Sequence, residues 1–402
     1  MNTSQRCFLT LIAAAGFIML VIIGFHFMSD VNFVEFAYHF RMNSSASELK
    51  GRSQSVELGT ENNFTREMTV ILVYTSFFGD TNWVKKGGRC VWYQPEERQC
   101  RMDLFEITLN KTRFAESSIV IFHARNMPAV SELKSLLKSR PTSQRWVYAL
   151  WESPMATPNP SALNGLFNLT WTYRTDSDFW APYGYYESYR EEDGKMNEVA
   201  TVTDYTEGKS ELVAWMVSNC SPQLRLSFVR ELKKFIKVDV YGSCSRIFGQ
   251  SLSCSREKTS DCVRKYKFYL SFENALCEDY ITEKYWGYLG DGNVVPVVMG
   301  GADYIKLAIP GSYINVMDFK TVKQLAEYLQ YLDKNNTAYN EYFTWRLKYK
   351  VYQDLLSFCA VCRHFYPDNL PETKVYQDLT EYWSQKGKCN QKDQFVINML
   401  NN

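Results

Sequence analysis

The stretch "KFYLSFENALCEDYITEKYWGYLGDGNVVPVVMG", residues 267–300, decides the fold class. "KFYLSF" (267–272) and "NVVPVVMG" (293–300) are apolar, β-rich runs of buried-strand type, and "TEKYWGYL" (282–289) between them reads as a helix start. Pro296 points to an edge or a bulge, because it has no N–H to give to a ladder. Strand, helix, strand is the parallel βαβ unit. The alternation recurs upstream in "TVILVYTSFF" (69–78), "SSIVIFHA" (117–124), the helical spacing of "PAVSELKSLLKS" (128–139), and "RWVYALWES" (145–153). It restarts at "ELVAWMVSN" (211–219), "LRLSFVRELKKFIK" (224–237) and "VDVYG" (238–242), and a further helix is expected in "TVKQLAEYLQYLDK" (321–334). Two such series, with irregular connections near 175–210, predict an α/β chain of two doubly wound halves facing a cleft. No internal sequence repeat accompanies them.

Composition agrees with a folded chain and excludes some partners. At 402 residues and 46% hydrophobic content the chain can build two cores. Its 45 basic and 44 acidic residues leave a net charge of +1, which favours neither nucleic acid nor an acidic surface. From Cys7 to Met28 no residue carries a formal charge unless His26 protonates, a run long enough to cross a bilayer. Arg6 precedes it, and Asp30 and Glu35 follow, so a type II arrangement with a lumenal remainder is expected. Residues 29–66 have the composition of a stem. Apart from Cys7, ten cysteines remain, an even number that suits disulfides in an oxidising lumen. Cys359-Ala-Val-Cys362 would also suit half a zinc site or a redox motif, but it has no second CxxC or His-rich partner. Glycosylation sequons stand at Asn43, Asn63, Asn110, Asn168 and Asn335.

Ligands of open α/β sheets bind at the carboxyl ends of strands, beside helix N-termini that favour anions. If a helix starts near Ile281, then Tyr280, Glu283 and Lys284 share one face of its first turn. The lysine would supply positive charge for a phosphate, and the carboxylate could accept from sugar hydroxyls. An ordinary solvated turn with a Glu–Lys pair has the same spacing. Glu152, where a strand stops before Pro154, is a candidate general base. Asp176-Ser177-Asp178 could hold Mg²⁺ or Mn²⁺ against a diphosphate, and could equally be a turn. Neither a GxxxxGK[ST] loop nor GxGxxG occurs.

Over about 68–366 these blocks, in order, resemble the animal α1,3-fucosyltransferases: "WESPMATP" (151–158), "FNLTWTYRTDSDFWAPYG" (167–184), "VAWMVSNC" (213–220), "VDVYG" (238–242) and "YKFYLSFENALCEDYITEKYW" (266–286). The resemblance implies a GT-B fold of two Rossmann-like domains and a Golgi membrane enzyme with its catalytic part in the lumen. The implied division is a cytoplasmic tail (1–6), a signal anchor (7–28), a stem (29–66), an acceptor domain (67–208), a GDP-fucose domain (209–366) and a C-terminal tail (367–402). It implies that Glu152 is the catalytic base and that Arg225 and Lys284 hold the donor diphosphate. Glu283, Tyr280, Asn274, Tyr269, Ser218, Asn219 and Tyr183 are the further donor contacts it implies. It implies disulfides Cys90–Cys359 and Cys100–Cys362, leaving the other pairs unassigned. The donor would be GDP-fucose, with no tightly bound metal, stimulation by Mn²⁺ or Mg²⁺ left open, and Asp176 and Asp178 holding the loop near the cleft. Acceptors would be N-acetylglucosamine-containing glycans of glycoproteins or glycolipids, and a homodimer is left open. Thr175 departs from the family, which often has a second Arg there. Transfer to the innermost N-glycan residue and a catalytically silent glycan-binding protein of the same fold are the alternatives.

Overall fold

The computed structural model describes residues 68–81, 83, 105–189, 203–255, 259–290, 292–353, 361, 374–390 and 392–401. The expected span at 7–28, the stem, Asn43, Asn63, and both expected disulfides (Cys90–Cys359 and Cys100–Cys362) lie outside them. Among the described residues no helix is long and apolar enough to cross a membrane.

The first sheet comprises β1 (Thr69–Val73), β2 (Phe105–Thr108), β3 (Ile119–His123), β4 (Arg145–Leu150), β5 (Leu169–Thr172) and β6 (Phe179–Trp180), all parallel, in the order β2-β1-β3-β4-β5-β6. Every residue of β3, β4 and β5 is buried, as in a parallel sheet covered on both faces. Helix α1 (Val130–Ser139) is the crossover between β3 and β4 and buries Leu133. After this sheet, β7 (Tyr185–Ser188) leaves to pair antiparallel with a late strand.

The second sheet contains β8 (Glu211–Met216), β9 (Val238–Tyr241), β10 (Tyr266–Phe272), β11 (Val295–Met299) and β12 (Ile314–Asn315), again parallel, in the order β12-β11-β10-β8-β9. Helix α2 (Gln223–Leu232) joins β8 to β9, α3 (Glu283–Trp286) lies between β10 and β11, and α4 (Val322–Lys334) follows β12. Thr321 caps α4 by accepting from the Gln324 N–H. The helix buries Val322, Leu325, Ala326, Leu329 and Leu332, the i, i+3, i+4 stripe legible in the sequence. Pro296 sits inside β11, but β12 pairs only with Val297 and Val298. The proline therefore occupies the part of an interior strand that is locally an edge. β13 (Tyr349–Tyr352) is the partner of β7.

Counted from its own first strand, each sheet has the order 2-1-3-4-5, and the first adds a sixth strand. Such a sheet reverses its winding between its first and third strands, so a crevice opens at their carboxyl ends. The two halves share this topology without sequence similarity.

Residues 374–390 and 392–401, expected within a C-terminal tail, instead contribute to both cores. Leu379, Tyr382 and Trp383 are buried with the first sheet, whereas Val396 and Met399 of α5 (Asp393–Asn401) are buried with the second. Tyr376 N–H donates to Phe167 O (2.9 Å) and Trp383 Nε1 to Thr157 Oγ1 (2.9 Å). Cys277–Cys389 ties the returning segment to the loop after β10, across 112 residues of chain. Cys220–Cys244 and Cys254–Cys262 complete the disulfides among the described residues. Removing a native cross-link costs about 2–5 kcal/mol in small domains. We expect Cys277→Ser/Cys389→Ser to lower the urea midpoint and to open residues 374–401 to protease first; unchanged cleavage there would show that packing alone holds the segment.

One sequon is corrected. Asn168 is 4% exposed. Its carbonyl accepts from Trp146 N–H (2.9 Å) and from Arg140, and its amide donates to Lys374 O (2.9 Å), so the folded chain leaves no room for a glycan. Asn110 is exposed and caps a short helix through Thr112. Asn335 is half-buried and caps residues 336–341, with its amide on Tyr331.

Candidate active site

A cavity of about 590 Å³ opens where the two switch points meet. From the first half it takes Phe78 after β1, Arg125 after β3 and Glu152 after β4. From the second it takes Asn219 and the first residues of α2 after β8, and Glu273 and Asn274 after β10. The returning segment contributes Asn390 and Asp393, beside the Cys277–Cys389 bridge. Every one of these residues follows the carboxyl end of a strand or comes from the stapled C-terminal segment.

Glu152 is half-buried, between Trp151, whose indole donates to Ala181 O (3.0 Å), and the fully buried Ser153. Pro154 turns the chain immediately after it. Its charge reaches three tyrosines. Burial first, and then charges including Glu152, raise the phenol pKa values of Tyr173, Tyr183 and Tyr280 well above the ordinary value. Tyr183 donates to Trp151 O (2.7 Å), and its ring meets that of Tyr280 at 6.2 Å. These two therefore stand next to the carboxylate without lining the cavity.

Arg225 is 4% exposed in the first turn of α2, with Nη2 donating to Asn219 O (2.6 Å) and Nη1 to Phe272 O (3.3 Å). Backbone carbonyls thus fix a guanidinium at a helix N-terminus, a place that favours anions. Asn219 Oδ1 accepts from Ser221 N–H (2.9 Å). Ser218 is exposed and lies against Gly242, where φ is +86° and a Cβ would be 2.6 Å from Val217 O. Only glycine fits that approach.

The expected helix start at Ile281 is corrected. Thr282 is the cap, α3 begins at Glu283, and Tyr280 lies before it. The reason is Glu273, a residue that was not singled out from the sequence. Its side chain is fully buried and accepts from Thr282 N–H (2.8 Å) and Thr282 Oγ1 (3.0 Å to Oε1). Lys284 Nζ lies 3.2 Å from Glu273 Oε2, 3.0 Å from Glu283 Oε1 and 2.9 Å from Thr282 Oγ1, which occupies its three donors. Burial raises the Glu273 pKa, an effect that Lys284 opposes. For Lys284 burial acts downward, but Glu273 and Glu283 outweigh it and hold the ammonium above the ordinary lysine value, with Arg225 opposing. Arg225 and Lys284 are thus cations close enough to feel one another, and both carboxylates pair with the lysine. The only sequence signal for Glu273 was its place directly after a strand.

Of the ten residues named from the sequence, Glu152, Arg225, Asn219 and Asn274 line the cavity. Lys284 reaches it through Glu273, and Glu283 is one step further away, paired with Lys284. Tyr269 does not; it is 1% exposed in a separate cluster, with its ring 4.1 Å from that of Tyr288. Asn274 Oδ1, Ser153 Oγ and Asp393 Oδ1 are buried in the cavity wall with no partner among the described residues. Three unpartnered polar atoms among these lining residues are a departure from the usual rule that buried polar groups are paired.

Asp176 and Asp178 point to different protein partners. Asp176 takes both nitrogens of a bidentate contact from Arg174 (2.8 Å each). Asp178 accepts from Thr170 N–H (2.9 Å), Tyr376 OH (2.9 Å) and Lys374. Thr175 between them and Arg174 donates through N–H (2.9 Å) and Oγ1 (2.7 Å) to Asp279, a left-handed residue (φ +58°) of the other half. Asp tolerates that conformation.

His123 ends β3 beneath Trp151, fully buried, and burial pushes its pKa down from 6.5 to about 3. The unfolded chain therefore takes up this proton first as the pH falls. Stability from this group is full above pH 6.5 and is lost toward pH 3, by about 1.4 kcal/mol per pH unit. We expect the urea midpoint to fall more steeply across that window than it does in His123→Phe; parallel curves would show that His123 titrates as an exposed histidine does.

Two family models match the chain: "Fucosyltransferase, N-terminal" over residues 66–184 and "Glycosyltransferase family 10 (fucosyltransferase) C-term" over 206–383. Glycoprotein 3-alpha-L-fucosyltransferase A of Drosophila melanogaster is 33% identical over 333 residues, 80% of this chain and 62% of that protein. A 4-galactosyl-N-acetylglucosaminide 3-alpha-L-fucosyltransferase of Gorilla gorilla gorilla is 36% identical over 279 residues, 68% of this chain and 70% of that one. The chain thus spans less than two thirds of the fly relative's length. A crystal structure of an α1,3-fucosyltransferase with GDP-fucose covers 86% of this chain at 16% identity and a TM-score of 0.42, too distant to bear on residue roles.

Proposed function

The chain belongs to glycosyltransferase family 10, the fucosyltransferases, and on that premise we propose that it transfers L-fucose from GDP-β-L-fucose, with inversion, to the 3-hydroxyl of N-acetylglucosamine in glycoprotein or glycolipid glycans. The supporting observation is that one cavity is lined by Glu152 from one half and by Arg225, Glu273 and Asn274 from the other. The acceptor oxygen attacks the anomeric carbon and its proton passes to the Glu152 carboxylate. The carbon–oxygen bond to the β-phosphate breaks, and its electron pair leaves with GDP. Arg225, the N–H groups at the start of α2 and the Lys284 charge offset what builds on the diphosphate. With its three donors taken by Thr282, Glu283 and Glu273, the half-buried Lys284 acts as a fixed charge more than as an open hydrogen-bond donor. Acceptor activation and charge compensation together are worth several powers of ten in rate.

The same reading gives the fold its GT-B name, with residues 67–208 for acceptor and 209–366 for donor. It makes residues 7–28 a signal anchor in the Golgi membrane with the catalytic part lumenal, a setting in which Cys220–Cys244, Cys254–Cys262 and Cys277–Cys389 would persist. The relatives' names cover both glycoprotein and galactosyl-N-acetylglucosaminide acceptors. The experiment is to incubate the full chain with GDP-fucose and a panel of N-acetyllactosamine, LacdiNAc and core N-glycan acceptors. Transfer to one of these is expected; no transfer to any, from folded protein that binds GDP, would favour a silent glycan-binding protein.

A further inference from the structure

Residues 383–390 run between the two loops that carry opposite walls of the cavity. Toward the first half, Trp383 Nε1 donates to Thr157 Oγ1 (2.9 Å), and Gly387 lies against Pro154, which turns the chain after Glu152. A Cβ at position 387 would come within 2.8 Å of Pro154 Cγ and 2.7 Å of Trp383 O. Toward the second half, Glu278 N–H donates to Gly387 O (2.8 Å), Asn390 N–H donates to Leu276 O (3.0 Å), and Cys389 is bonded to Cys277, shortly after Asn274. Behind that loop stands Gly301, past the end of β11, where a Cβ would be 2.3 Å from the Leu276 carbonyl carbon. The loop is therefore backed by the second sheet on one side and tied to the returning segment on the other.

Gly387 is the common point of these contacts, with its Cα against one loop and its carbonyl bonded to the other. It is buried, and its φ lies outside the left-handed region, so the close approach, and not the backbone conformation, requires glycine here. On either side of Cys389 the chain bends through Lys388 and Asn390, at φ +43° and +67°. The base and the donor wall belong to separate sheets. Their separation therefore depends on the contacts that fasten the two loops to each other. That separation matters to a transfer reaction, since a misplacement of about 1 Å can cost about 10²-fold in rate. The match to the family's C-terminal model ends at residue 383, so Gly387 and Cys389 lie outside the matched residues.

We propose that residues 383–390 are a positioning strap for fucose transfer, in which Gly387 and Cys389 hold the Glu152 loop at its working distance from the donor wall. The proposal rests on the fucosyltransferase reading. Neither residue lines the cavity; Gly387 acts through Pro154 and Cys389 through Cys277. Three variants probe the two ends. Gly387→Ala forces Pro154 or Trp383 to move. Cys277→Ser/Cys389→Ser frees the end on the second half. Thr157→Val keeps the shape of a side chain outside the cavity and removes the hydroxyl that accepts from the Trp383 indole, so it should leave the fold intact.

The test measures kcat for transfer to an acceptor that the parent protein uses, and GDP affinity by calorimetric titration, on the full chain and each variant. The kcat should fall about ten- to hundredfold in Gly387→Ala and in the double cysteine variant, and about fivefold in Thr157→Val, the worth of one hydrogen bond. GDP affinity should stay within about twofold throughout, because Arg225 and the start of α2 make no contact with the strap. A segment that only supported the fold would lower kcat and GDP affinity together, or lower neither; either result overturns the proposal. If the parent protein transfers to no acceptor, the functional reading fails on its own and hydrogen exchange decides the strap. The Ala156 N–H, which donates to Ser153 O (2.9 Å), should then exchange about tenfold faster in Gly387→Ala and the cysteine variant while the β4 amides stay protected. Equal exchange in variants and parent overturns it.

Discussion

Glu152→Gln should lower the rate of fucose transfer by about 10²- to 10⁴-fold while GDP affinity stays within about twofold. The substitution keeps the size of the side chain and its place between the buried Trp151 and Ser153, so the turn at Pro154 should survive. It removes the one property the mechanism needs from this position, a carboxylate that takes a proton. Glu152 comes from the first half, whereas Arg225, Asn219 and Glu273 line the second half's side of the cavity. Donor binding and proton transfer should therefore separate cleanly. Calorimetric titration with GDP and initial-rate measurement on one preparation read the two quantities independently. Near-normal turnover would place the base elsewhere; loss of both together would mean that the site had collapsed.

Lys284→Met should have an effect of similar size on transfer, about 10²- to 10³-fold, with an added mark on stability. The substitution takes the cation from a fully buried carboxylate, and breaking such a pair costs about 3–5 kcal/mol. The Glu273 pKa is already raised by burial, and Lys284 is the largest influence holding it down. Without the lysine it climbs further. A carboxyl with a folded pKa above its unfolded value favours the folded state at low pH, and that advantage is lost as pH rises through the window between the two. The variant should therefore lose stability relative to wild type as pH rises from 4.5 toward neutrality. Lys284→Met/Glu273→Gln should recover much of the loss, because it removes the fully buried carboxylate together with its partner and leaves only the partly exposed Glu283 without the lysine. Chemical denaturation at pH 5 and pH 8 measures this; a stability difference independent of pH, with no recovery in the double variant, would mean that Glu273 does not depend on Lys284.

Much of this arrangement was legible in the chain, and the illegible parts have definite causes. Parallel strands buried on both faces read as unbroken apolar runs, so "SSIVIFHA", "RWVYALWES" and "KFYLSF" mark β3, β4 and β10. Residues directly after such runs lie at the carboxyl ends of strands, which is how Glu152 could be picked out before any contact was known. The α3 start was misread by two residues because its position depends on a carboxylate nine residues upstream: Thr282 caps the helix while donating to Glu273. A spacing rule that looks three or four residues along a helix cannot see that bond. Asn168 fits a sequon, but whether its amide is spoken for depends on Lys374, 206 residues away. The C-terminal segment looked like a tail because its buried residues are divided between two cores, with Trp383 in one and Met399 in the other. No single periodic face records that.

Product analysis tests the central claim most directly. The full chain, given GDP-β-L-fucose and N-acetyllactosamine, should yield a trisaccharide whose fucose is α-linked to O3 of the N-acetylglucosamine, read from its anomeric proton coupling and its through-space contacts by NMR. A β-linked fucose would contradict the single displacement assisted by Glu152, as would no product from protein that binds GDP and fails on every acceptor offered.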